Sequence, residues 1–306
     1  MKIYEIISNA AIERRHYWIE EIVTLSGHFG ADSSRVEDEL SSEIRQNGLD
    51  SLLGHLRLCS AIPESYRHDS SEEKLYSKYT DALISECYSW IGLESVVLTE
   101  RADSADVEAV TDEYSFVADA KVFRLSRTAK NQKDFKVQAM DGWKRGKPFA
   151  MVVCPLYQLP SRTSQIYQQA AARNVCIFSY SHLSVLARLT EIEGKEAAIN
   201  LLHEVFNTVQ AMNPSKNANA YWQAVNRAML RYSDAVNNLW ETEKIATIES
   251  IVVSKEIALK YYASKREEIM RLSHREAIEQ LIEMHKINSR IDKIRSVSDN
   301  LIMNIG

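Results

Sequence analysis

Asp119 and Lys121, one residue apart in the run Phe116-Val117-Ala118-Asp119-Ala120-Lys121, have the types and spacing for phosphodiester chemistry. On a β-strand side chains alternate between faces, and residues two apart stand about 7 Å from each other on one face. A strand here would project a carboxylate and an ammonium side by side, while Ala118, Ala120 and Val122 enter a sheet core. Phosphodiester hydrolysis uses that combination, with carboxylates holding Mg²⁺ and a lysine near the scissile phosphate or the attacking water. A second metal carboxylate is available upstream, where Asp106 opens another strand-like run, Val107-Glu108-Ala109-Val110. A D-x-K triplet alone is common in soluble chains, and its bland reading is a cross-strand ion pair on a solvated sheet face.

The residues downstream of Lys121 shift the balance. Basic residues recur at every third position, at Lys121, Arg124, Arg127, Lys130, Lys133 and Lys136, interrupted only by Asp134. Ser126, Thr128, Asn131 and Gln132 lie among them and can address phosphates and base edges. Between Lys121 and Lys147 there are nine Lys or Arg against Asp134 and Asp141, although the whole chain carries a net charge of −5. A protein acting on DNA needs a basic cleft and not a basic average. Asp134 has two readings, an acid near the scissile phosphate or a local ion pair beside Lys130 and Lys133.

The run Val117-Ala118-Asp119-Ala120-Lys121, continued through Phe123-Arg124-Leu125-Ser126-Arg127-Thr128-Ala129-Lys130-Asn131-Gln132-Lys133-Asp134-Phe135-Lys136-Val137, resembles the catalytic and recognition segment of the HindIII-like type II restriction endonucleases. These belong to the PD-(D/E)xK nuclease superfamily. Looser similarity extends to Ser71–Lys78, Ser164–Gln169 and Arg275–Glu279, and so covers most of the chain. The resemblance implies a homodimeric, Mg²⁺-dependent site-specific deoxyribonuclease, with Mn²⁺ able to substitute. It would cut the palindrome AAGCTT in double-stranded DNA, leave 5′ overhangs and pair functionally with a methyltransferase of the same specificity. By matching positions, Asp119 and Lys121 take the D-x-K role, Asp106 is the upstream metal carboxylate, Glu100 is the acid on the preceding element and Asp134 is a further acidic candidate. Ala129, Asn131, Gln132 and Lys133 form the expected base-reading cluster, because Asn and Gln suit adenine and Lys suits the guanine acceptors. Arg124, Arg127, Lys130 and Lys136 are expected to bind DNA around it. Two alternatives stay open: a structure-selective repair or recombination nuclease of the same superfold, or a non-enzymatic DNA-binding regulator.

The elements that must position these residues can be read from periodicity. Strand-like runs at Ser95–Leu98, Val107–Val110, Tyr114–Leu125, Phe149–Cys154 and Val175–Ser179 alternate with helical ones, Ala129–Trp143 and Thr163–Arg173 among them. This predicts an α/β core with a mixed central sheet flanked by helices. Before it, Ser70 and Glu73 form a capping box, and Leu75, Tyr79, Leu83, Cys87 and Trp90 line a helix that Gly92 ends. Phe135, Ala139 and Trp143 are the expected buried stripe of the helix after the catalytic strand. We expect three regions: a helical N-terminal layer over residues 1–69, a catalytic core over 70–190, and a helical C-terminal region over 191–306 for dimerisation and embrace of DNA. In the last, Ser273 and Glu276 make another capping box, and Ile269, Leu272, Ile278, Leu281 and Ile282 read as a core stripe.

Other chemistries find no support. The cysteines Cys59, Cys87, Cys154 and Cys176 lack C-x-x-C spacing and read as buried reduced thiols. The eight histidines form no H-E-x-x-H motif. Gly142-Trp143-Lys144-Arg145-Gly146-Lys147 has the wrong spacing for a phosphate loop and reads as a turn. The N-terminus has no signal-peptide core and no run approaches membrane-spanning length, so a cytoplasmic protein is expected.

Overall fold

The structure is a computed structural model that describes residues 4–98, 104–127 and 132–295. Its chain divides into two compact units, residues 1–258 and 259–306. The first is built on five strands in sequential order: β1 (Glu94–Val97), β2 (Val107–Val110), β3 (Ser115–Ala120), β4 (Phe149–Cys154) and β5 (Val175–Ser179). β1, β2 and β3 pair antiparallel, and β3, β4 and β5 pair parallel. The register sets Val107 opposite Ala118 and Asp119 beside Val152. Burial follows pairing: β1, at the edge, alternates between exposed and half-buried, whereas every residue of β4 and β5 is buried. Continuous apolar strands of that kind belong in a parallel sheet covered on both faces.

The first three helices, α1 (Asn9–Glu21), α2 (Phe29–Asn47) and α3 (Leu49–Leu58), make the N-terminal layer. Between that layer and strands β1 to β3 lies α4 (Ser71–Ile91), so residues 79–85 are buried on every side of the helix. Ser70 caps α4 by accepting from Glu73 N, and the Glu73 carboxylate accepts from Asp69 N. Gly92 closes it at φ 105°, and a Cβ there would meet the Lys195 side chain at 3.1 Å, so both conformation and space require glycine.

After β3 the chain departs from the expected long strand. Lys121 N still donates to Val153 O at 2.7 Å, but Phe123 then pairs in parallel with Ala61 and accepts from Ile62 N. The expected single helix over 129–143 is two pieces, a 3₁₀ turn at Gln132–Phe135 and α5 (Val137–Trp143). Phe135 and Val137 are each 1% exposed, and no single helix face buries both. Lys136, between them, takes the left-handed conformation at φ 51° and faces outward. Burial consequently falls on Phe135, Val137 and Met140, with Ala139 and Trp143 half-buried.

The remaining helices of this unit are α6 (Gln165–Arg173), α7 (Tyr180–Gln210), α8 (Ala218–Leu230) and the start of α9 (Asp234–Met270). α7 is kinked where Gly194 leaves helical geometry at φ 88°. One apolar core runs continuously from Trp18 of α1 through the sheet to Leu239 of α9. All four cysteines are buried free thiols.

In the second unit, α10 (His274–Met284) carries the expected capping box between Ser273 and Glu276, and α11 (Ile287–Arg295) follows. The apolar stripe is not a core here. Ile269, Ile278, Leu281 and Ile282 are 38–49% exposed, and α10 and α11 contain no buried residue. The helical period is met, but among the described residues of this unit nothing covers the face. Among the described residues, no helix is long and apolar enough to cross a membrane.

Candidate active site

Three acids converge near the carboxyl end of β3. The antiparallel register of β2 on β3 places Asp106, just before β2, against Asp119 near the end of β3, and α4 delivers Asp81 from behind. One carboxylate oxygen from each of Asp81, Asp106 and Asp119 lies within 4.8 Å of the other two. Asp81 and Asp119 are buried, 3% and 1% exposed, and Asp106 is partly open. Two lysines face the acids. Lys121 pairs with Asp119, and Lys78 Nζ reaches Asp106 at 2.7 Å and Asp81 at 3.3 Å.

The electrostatics come from this crowding. Burial pushes the Asp81 carboxyl well above its usual range, and the nearby Asp106 adds to the shift. Burial also raises Asp119, opposed by Lys121 and reinforced by Asp106. At Asp106 burial works against ionisation, yet the adjoining Asp119 carboxyl and the Lys78 ammonium outweigh it and lower the pKa. The lysines suffer the same desolvation but are raised by their carboxylate neighbours, Lys121 by Asp119 and Asp81, Lys78 by Asp81 and Asp106.

Neither oxygen of Asp119 receives a hydrogen bond of normal geometry, though both are fully buried. A buried carboxylate held so poorly satisfied is costly unless a cation completes it. Three hard oxygen donors within 4.8 Å suit a divalent cation such as Mg²⁺. The residues present therefore fit the metal that this chemistry uses.

Asp106, Asp119 and Lys121 thus meet in one place. Asp81 is not among the candidates that the sequence offers, and its only signal there is a lone acid within Tyr79-Thr80-Asp81-Ala82-Leu83-Ile84 of an otherwise apolar helix. Asp134 pairs with Arg127 at 2.5 Å. The Arg127 guanidinium also lies 4.8 Å above the Phe123 ring. Lys133 and Lys136 are exposed, and the Lys136 ammonium stands 5.1 Å over the Trp143 ring. Glu100, Ala129, Lys130 and Asn131 lie outside the described residues, as does the side chain of Gln132.

Arg124 departs from the expected surface role. Its guanidinium turns inward, donating to the carbonyls of Tyr66 at 2.7 Å, Pro63 at 3.3 Å and Glu64 at 3.4 Å, and to Glu73 at 3.4 Å. Glu64 accepts from both Ser126 N and Ser126 Oγ, at 2.9 and 2.7 Å. These contacts fasten the segment after β3 to the loop after α3. The physical reason is desolvation: a charged arginine side chain this enclosed must spend its donors on nearby carbonyls.

A mixed sheet between helices, with clustered acids and a lysine at the end of its central strand, defines a nuclease of the restriction-endonuclease type. Comparison with known proteins narrows the class. The profile of the HindIII restriction endonuclease family matches residues 16–298. The chain is also 32% identical over 251 residues to the "Type II restriction enzyme HindIII" of Haemophilus influenzae (strain ATCC 51907 / DSM 11121 / KW20 / Rd), an alignment covering 79% of this chain and 81% of that one. The chain belongs to the HindIII restriction endonuclease family and is a restriction endonuclease acting on DNA.

Proposed function

We propose that this endonuclease cleaves double-stranded DNA at AAGCTT, hydrolysing one phosphodiester in each strand and leaving 5′ overhangs, with Mg²⁺ as its cation and Mn²⁺ as a substitute. The observation that carries the chemistry is the buried Asp119, poor in hydrogen bonds and grouped with Asp81, Asp106 and Lys121. The choice of AAGCTT rests on the resemblance of residues 117–137 to the family's recognition segment.

Asp81, Asp106 and Asp119 would hold the cation. When bound, it supplies Lewis-acid polarisation and positive charge where the pentavalent transition state gathers negative charge. Asp81 and Asp119, both with raised pKa, must give up protons before they coordinate, so they bind the cation better as pH rises. Lys121 has a raised pKa and stays protonated at neutral pH, where it contributes positive charge beside the scissile phosphate. Glu100 and Asp134 are the further acids proposed at the site.

Arg127, Lys130, Lys133 and Lys136 are proposed to contact DNA around the cut, and Ala129, Asn131, Gln132 and Lys133 to read bases. Arg124, fastened inward, serves them by holding the strand end. A palindrome cut in both strands matches a two-fold dimer with two equivalent sites. The exposed apolar residues of α10 and α11 support a homodimer. The enzyme would act in the cytoplasm beside a methyltransferase of the same specificity.

The test is digestion of a plasmid with one AAGCTT site in Mg²⁺, with the fragment ends sequenced. Linear product with 5′ overhangs at that site is expected. A smear would mean a nonspecific nuclease, and an uncut but shifted plasmid a binding protein.

A further inference from the structure

Lys78 lies outside both the D-x-K strand and the basic run, yet it is as close to the acids as Lys121. It projects from α4 one turn before Asp81, and its ammonium bridges Asp81 and Asp106 at 3.3 and 2.7 Å. Its side chain is 30% exposed, against 12% for Lys121 and 4% for Asp81, so Lys78 stands at the mouth and Lys121 deeper inside. An ammonium and a divalent cation seek the same carboxylate oxygens, and Mg²⁺ takes them at about 2.1 Å. Both cannot occupy the space between Asp81 and Asp106. Three carboxyls with two ammonium groups are close to balanced. Adding a divalent ion overfills the site with positive charge unless one ammonium leaves. Lys78 has the flexible stem and the route to solvent.

We propose that Lys78 is a resident competitor of the metal ion: its ammonium fills the cation's place between Asp81 and Asp106, moves outward when the divalent ion enters, and then faces the DNA phosphate. This rests on the reading that Asp81, Asp106 and Asp119 hold the metal. In the metal-free protein the ammonium thereby offsets part of the repulsion among the acids. The same ammonium, once displaced, becomes a cation for the incoming anion, so loss of Lys78 removes a competitor and a phosphate partner together.

The experiment measures Mn²⁺ binding by calorimetry to the full-length protein without DNA, for wild type, Lys78→Met, Lys78→Arg and Asp119→Asn. Lys78→Met is expected to bind Mn²⁺ about tenfold more tightly than wild type, within the usual range for coupled ligands, and Lys78→Arg within about twofold of it. A variant damaged only in structure would bind more weakly, so the direction separates the two. Unchanged or weaker binding by Lys78→Met overturns the proposal. If wild type binds no Mn²⁺, or Asp119→Asn binds as wild type does, the metal reading fails first and the proposal with it. Should Lys78→Met not fold, wild type decides: limiting acetic anhydride with peptide mass spectrometry should label Lys78 several-fold faster with saturating Ca²⁺ than without, relative to exposed Lys244. Equal labelling of Lys78 in both conditions overturns the proposal.

Discussion

Glu43 and Asp119 are both buried carboxylates in the first unit, 7% and 1% exposed, and the protein treats them in opposite ways. Glu43, on α2, accepts from Trp18 Nε1 at 2.8 Å and Ser51 Oγ at 3.1 Å, lies 3.1 Å from His55 Nε2 and pairs with Arg14 at 2.5 Å. Burial pushes its pKa up, but the hydrogen bonds from His55, Arg14 and Trp18 hold it far below the usual carboxylate range. Asp119 has an ion pair with Lys121, no hydrogen bond of normal geometry, and a raised pKa. One acid is completed by its own protein and works as a structural tie. The other has the Lys121 ammonium as its ion-pair partner and is otherwise unsatisfied, as the proposed metal role requires. A buried charge signals function when its satisfaction is missing, not when burial alone is observed.

Removing each acid in turn tests this contrast hardest. Asp119→Asn and Lys121→Ala are expected to lower the single-turnover cleavage rate by about a hundred- to a thousandfold, the scale of losing an electrostatic stabiliser, while specific DNA binding in Ca²⁺ survives. Retained plasmid cutting by either variant at saturating Mg²⁺ contradicts the role given to Asp119 and Lys121. Glu43→Ala should do the reverse, keeping cleavage per folded molecule. It should lower the thermal midpoint by roughly 5–15 °C, from about 3–5 kcal/mol for breaking a buried pair. Calorimetry with an activity assay on the same samples checks both halves.

A smaller effect is expected in the recognition segment. Asn131→Ala and Lys133→Ala should each narrow the preference for AAGCTT over single-base variants by about 1–3 kcal/mol, measured by competition binding in Ca²⁺. Unchanged ratios for both would locate the base readers elsewhere.

The subtlest effect is in acid titration. Asp81 and Asp119 have raised folded pKa values, so their contribution to stability is fully present below the ordinary carboxylate pKa and is lost as pH rises through the folded value. Glu43 is depressed, so its contribution is present above the ordinary value and is lost as pH falls through the folded one. Asp81→Asn should therefore raise the midpoint of metal-free protein at pH 8 by a few degrees and leave it nearly unchanged near pH 3.5. Thermal scans across pH in chelator read this directly, and a gain at low pH only would reverse the assignment.

Much of the frame is legible in the sequence because its signals are local. The bounds of β2, β4 and β5, the Ser70 and Gly92 ends of α4 and the Ser273 capping box depend on a few adjacent residues. Asp119 and Lys121 are legible for the same reason. Asp81 is not, since its membership depends on α4 crossing behind the sheet, a contact no spacing rule encodes. The inward turn of Arg124 is not legible either, because charge alone cannot tell whether an arginine faces water or backbone carbonyls. The break at Lys136 is hidden in a helical pattern that only the burial of both Phe135 and Val137 contradicts. For the exposed stripe of α10 the periodicity is right, but the partner it needs is not encoded in the pattern.

The clamps at either end of the proposed recognition segment have an evolutionary consequence. Before it, Arg124 and Glu64 tie the chain to the loop after α3, and after it Asp134 pairs back to Arg127 while Phe135 is buried. The positions between 127 and 134 are therefore bracketed by residues fixed to the rest of the fold. If those positions read the bases, as proposed, related enzymes would acquire new target sites by changing them while β3 and the core beneath it stay as they are. A library for altered specificity would be randomised at 128–133 with Arg124, Glu64, Arg127 and Asp134 held constant.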